Sequence, residues 1–150
     1  MKITWMRTGA DGQTTFEDLE VATRQGERGA ETGVLPMAGV IFRAEQPTLD
    51  LGFHNAPRRQ LVIPLDAEVE VEAGDGSVRR IGPGEVLLAD DLTGQGHKSR
   101  FRPAGASMLF GVLAGGADPP LGAPEGDGAR ADSTPTPQTR EEQPSWARQR

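Results

Sequence analysis

Short apolar runs punctuated by turn residues recur along most of this chain, and no stretch holds a convincing helical period. Leu49-Asp50-Leu51-Gly52-Phe53 alternates apolar and other residues with period two, as a half-buried strand does. Gln60-Leu61-Val62-Ile63-Pro64-Leu65 reads as a buried strand whose proline marks an end, an edge or a bulge. Glu68-Val69-Glu70-Val71-Glu72 is a strict alternation, with two valines on one face and a solvated carboxylate face opposite. Gly74-Asp75-Gly76 is a hairpin turn able to take positive φ, and Gly82-Pro83-Gly84 turns the chain again. Further strands are expected at Ile3-Thr4-Trp5, Val34 to Ala44, Val78 to Ile81, Glu85 to Ala89, His97 to Phe101 and Ser107 to Leu113. Phe16 to Val21 suits an edge strand or an irregular arm, Thr15 to Arg24 is weakly helix-like, and Thr23 to Gly33 reads as a loop. About nine or ten short strands without helices predict an all-β sandwich or barrel.

Composition then divides the chain. Only 35% of the residues are hydrophobic, so part of the chain is expected to carry no core. That part is residues 115–150, which hold six of the twelve prolines and only Leu121 and Trp146 as large apolar residues. They are expected to form a disordered, solvated tail. Residues 1–114 then form one domain, with an N-terminal arm over 1–33 and a core over 34–114. The absence of cysteine excludes disulfide scaffolds, thiolate metal sites and cysteine nucleophiles. A net charge of −6 argues against a nucleic-acid partner, which needs a basic footprint. No apolar run reaches a membrane span or forms a signal-peptide core, so the expectation is a cytoplasmic protein with no membrane partner.

The candidate chemistry sits around the two histidines. Phe53-His54-Asn55-Ala56-Pro57-Arg58-Arg59-Gln60 precedes the central strand pair, and Gly82-Pro83-Gly84-Glu85-Val86 leads through Asp90 and Asp91 to His97. Over roughly Leu49 to Arg102 this arrangement resembles the cupins, whose signature has halves G-x5-H-x-H-x3-4-E-x6-G and G-x5-P-x-G-x2-H-x3-N. His54 falls on the first histidine and His97 on the last, while the second histidine position holds Ala56 and the glutamate position Gln60. The connection from Asp91 to His97 is longer than the pattern, and its asparagine position holds Phe101.

The resemblance implies a single jelly-roll barrel that pairs as a homodimer through an exposed sheet edge. His54, Gln60 and His97 would then face one cavity, since positions 54, 56 and 60 share strand parity, and the same parity would turn Arg58 inward to grip a carboxylate or phosphate. As an alternative, Arg58 and Arg59 form a solvated pair or pair with Glu68 to Glu72. Asp90 and Asp91 are read as turn residues in a glycine-bearing loop, or as an acid–base pair near His97. Three functional readings follow. The first is a small polar or anionic ligand bound by His54, Arg58, Gln60 and His97, with no metal or a weakly held one. In the second, an enzyme holds Fe, Mn, Zn or Ni on His54, Gln60 and His97. The third is a dimeric accessory protein without catalysis. Whether the chain is an enzyme stays open at this point.

Overall fold

Period-two alternation builds two facing sheets, and the chain crosses repeatedly from one to the other. The structure, a computed structural model, describes residues 1–46, 50–102, 106–115 and 121. Its strands are β1 (Lys2–Thr8), β2 (Thr14–Glu20), β3 (Arg24–Gly26), β4 (Gly29–Glu31), β5 (Met37–Ala44) and β6 (Asp50–His54). They continue as β7 (Gln60–Pro64), β8 (Glu68–Glu72), β9 (Val78–Ile81), β10 (Leu87–Asp90), β11 (His97–Arg102) and β12 (Ser107–Leu113). The larger sheet runs β2-β1-β10-β7-β12-β5 and the smaller β6-β11-β8-β9, with β3 and β4 forming a separate hairpin. β1 and β10 pair in parallel, and the remaining pairs are antiparallel. No helix occurs among the described residues, so none there is long and apolar enough to cross a membrane.

The main core lies between the two sheets. Met6, Val62, Leu87, Met108 and Phe110 from the larger sheet pack with Val69, Val71 and Ile81 from the smaller. Such burial stabilises by roughly 1.5–3 kcal/mol for each fully enclosed large side chain. A second cluster, Ile3, Val21, Leu61, Leu88 and Leu121, covers the opposite face of the larger sheet. There, neighbouring residues of β7 and β10 point to opposite faces, as the pleat requires. Leu121, expected in the solvated tail, is instead buried in this second cluster. The rest of the expected tail, including Trp146, lies outside the described residues apart from Gly115.

Three further expectations change. Thr15 to Arg24 is not helical: β2 is an edge strand held to β1 in a register that places Phe16 opposite Met6. Thr23 to Gly33 is not all loop, since β3 and β4 pair there and Arg24 bonds Glu31 at 3.1 Å. The glutamate face of β8 is not simply solvated. Glu70 is only 9% exposed, bonded at 3.3 Å by both Arg80 and Arg100, and Glu72 takes Lys98 at 3.1 Å. Rows of cations on β9 and β11 flank the acidic row because antiparallel register puts Arg80 and Arg100 opposite Glu70. Pro64 ends β7, where its missing N–H costs the ladder least.

Candidate functional site

A cavity of about 300 Å³ opens between the sheets, and the sequence halves meet in its wall. His54 closes β6 and His97 opens β11, and the antiparallel register makes them direct cross-strand partners. Their ring centroids are 4.4 Å apart at an interplanar angle of 52°. Gln60 faces them from the other sheet, where it sits opposite Ala89 on β10. Shared strand parity was the wrong reason for grouping these residues. The strand ends at His54, residues 55–59 belong to no strand, and Gln60 begins a strand of the facing sheet. That break also releases Arg58, which is exposed and does not line the cavity. Arg59 pairs with Asp90 at 2.6 Å rather than with the β8 glutamates, and Asp90 also accepts from Trp5 Nε1 at 3.2 Å.

Each histidine is oriented by its Nδ1. His54 Nδ1 donates to the Gly52 carbonyl at 2.8 Å, and His97 Nδ1 lies 2.6 Å from Asp91 Oδ2. A carbonyl accepts only, so His54 carries its proton on Nδ1; a neutral ring then keeps its lone pair on Nε2. The Asp91 carboxylate selects the same tautomer in His97. Asp91 has no solvent exposure and also accepts from Thr14 Oγ1 at 3.1 Å, while its Oδ1 is buried without a partner among the described residues. Asp91 is therefore an anchor for His97 rather than a turn residue. A carboxylate fixed behind an imidazole orients the ring and fixes its tautomer.

The long connection before His97 is what allows this geometry. Asn55 Nδ2 donates to the carbonyls of Asp91 at 3.2 Å and Thr93 at 2.7 Å, and the Ala56 N–H reaches Asp91 O at 3.2 Å. From the other side, Thr8 Oγ1 donates to Thr93 O at 2.8 Å and Gln95 N–H to Gly12 O at 3.0 Å. Gly96 has φ +78°, and a Cβ placed there would lie 2.2 Å from the His54 carbonyl oxygen. Only glycine fits such an approach, so Gly96 sets how closely His97 comes beside His54.

The remaining wall is mostly apolar, with Val69, Phe101, Met108 and Phe110, and a second polar group formed by Arg43 and Glu45. Arg43 lies 4.5 Å over the Phe110 ring and its Nη1 donates to Glu45 at 3.3 Å. Neither residue stood out in the sequence. Arg43 sits in an otherwise apolar strand, the one signal that could have found it. Thr14 and Asn55 carry no local signal, because their roles arise from contacts distant in sequence.

Among the described residues no three His, Cys, Asp or Glu side chains converge as a metal-binding group. His54, His97 and Gln60 offer two imidazole nitrogens and one amide oxygen. That set lacks the carboxylate and third imidazole of a cupin metal centre and does not fit a tightly held transition metal.

The described residues thus form an all-β domain of two facing sheets with a polar-ended cavity between them. No family model and no curated protein matches it. Among solved structures it is similar to the crystal structure of protein NMB1881 from Neisseria meningitidis. The identity there is 19% over 50% of this chain and 70% of the other, with a TM-score of 0.37.

Proposed function

We propose that this is a cupin-like protein that binds a small, partly apolar molecule in the cavity between its sheets, with no resident metal. The observation that carries the reading is the His54–His97 pair in the cavity wall, with His97 backed by the buried Asp91. His97 Nε2 accepts a hydrogen bond or a proton from the ligand, Gln60 and Ser99 supply further polar contacts, and the apolar wall holds the body. The cavity volume limits the occupant to a metabolite-sized molecule. An exposed edge supports self-pairing: Met37, Val40 and Phe42 of β5 are exposed on the outermost strand of the larger sheet.

A fragment screen read by the ring NMR signals of His54 and His97 tests this. Binders are expected to move both signals together, and His97→Gln to abolish the response. Asp91→Asn should weaken binders by several-fold while the cavity persists, because the ring loses its charged orienting partner. Binders that leave both rings unmoved would overturn the site. One equivalent of Fe, Mn, Zn or Ni in the purified protein, lost in His54→Ala, would favour the metal-holding alternative instead.

A further inference from the structure

Resting on the cavity as a small-molecule site, we propose further that its occupant is a monocarboxylate, with the carboxyl group docked on Arg43. An arginine gripping a ligand acid was expected at Arg58, which is exposed outside the cavity; the cation that lines the cavity is Arg43.

Arg43 is held on two sides. Its guanidinium stacks over Phe110 at 4.5 Å, and Nη1 bonds Glu45, a side chain only 5% exposed, at 3.3 Å. Among the described residues its Nε and Nη2 meet no acceptor. A guanidinium presents its N–H donors as a rigid planar fork, so anchoring one nitrogen leaves others to pair with a carboxylate. The anchoring also means that little side-chain freedom is lost when a ligand arrives.

The surroundings select among anions. Met108 and Phe110 flank Arg43, and Val69 and Phe101 continue the apolar wall, so the part of the ligand next to its acid is hydrocarbon. A phosphate or dicarboxylate would bring a second negative charge beside Glu45 and further oxygens against apolar walls. A monocarboxylate has two oxygens to satisfy, and the fork can take both.

The two polar groups are also well separated. Arg43 is level with Met108 and Pro64, whereas Gln60 lies four residues along β7 from Pro64. At the usual strand rise this is about 13 Å along the sheet. The class indicated is therefore an acid with an intervening apolar body and a hydrogen-bonding far end for His97.

Calorimetry and thermal shift with matched acid and amide pairs test the assignment: phenylacetate against phenylacetamide, and isovalerate against isovaleramide. The acids are expected to bind about ten-fold more tightly, reflecting charged against neutral hydrogen bonds. Arg43→Gln should abolish that preference and Arg43→Lys should keep part of it. An Arg43→Gln/Glu45→Gln double variant removes any effect of leaving Glu45 unpaired. Equal binding of acids and amides, or an acid preference surviving Arg43→Gln, would overturn the inference. If only amides bind, with movement of the histidine rings, the carboxylate assignment fails and the cavity reading stands. If neither class binds or moves the rings, both fail.

Discussion

Replacing Gly96 by alanine isolates the close approach that brings the two histidines together. Two costs apply at this position. The first is conformational, because φ is +78° and a left-handed backbone costs an L-residue about 1–2 kcal/mol. The second is steric, because the added methyl would sit 2.2 Å from the carbonyl oxygen of His54, a backbone atom with little room to yield. Overpacking of this kind costs about 1–3 kcal/mol, giving a total of about 2–5 kcal/mol. Gly84→Ala is the control. Its φ is +81° and nothing lies within 4 Å of the added carbon, so only the conformational cost applies. At about 4 °C per kcal/mol, Gly96→Ala should lower Tm by roughly 8–20 °C and Gly84→Ala by roughly 4–8 °C. Urea unfolding gives the same ranking independently of temperature. In the folded fraction of Gly96→Ala, the NOE between the His54 and His97 rings should weaken as the strands part. If the two variants lose equal stability, or the ring NOE is unchanged, the close packing of Gly96 on β6 does not set the geometry of the site.

Two other expectations concern residues away from the cavity. Leu121→Ala should cost about 2–5 kcal/mol by urea unfolding, because the side chain is 5% exposed in the second apolar cluster; truncation after Ala114 should match it, and a neutral result would return Leu121 to the tail. The hydrogen bond from Lys98, with the charges of Lys98 and Arg100, holds the Glu72 carboxyl below the ordinary glutamate range. Its contribution to stability is therefore present above the ordinary glutamate value and is lost as pH falls through the lowered one. Carbon-detected NMR titration should show the Glu72 midpoint rising toward the ordinary value in Lys98→Met.

Local periodicity marks the central strands. Gln60 to Leu65, the Glu68–Glu72 alternation and Ser107 to Leu113 became β7, β8 and β12, because their periodicity is itself the record of which face is buried. The β3–β4 hairpin was missed because its short strands bury no apolar face and so have no period to detect. His54 and His97 come together in the cavity wall, whereas Arg58 takes the solvated alternative, because the parity that would turn it inward does not carry across residues 55–59, where the chain changes sheets. For Asp91 the sequence leaves two readings open, a turn residue or an acid beside His97, for a different reason. Two adjacent acids beside glycines look like a turn until Thr14 and His97 arrive from other strands.

The parallel pairing of β1 with β10 sets an order of assembly. Thr4 lies beside Leu87 in the finished sheet, although the first leaves the ribosome long before the second. At about 5–20 residues per second, some 4–17 s separate their synthesis. During that interval the β1–β2 hairpin lacks the β10 strand that pairs along β1 and cannot yet hold the connection to His97. The binding pocket is thus a late product of folding, completed only when the ends of the domain meet. Such distant pairings put refolding in the millisecond-to-second range, slow for a chain of this size.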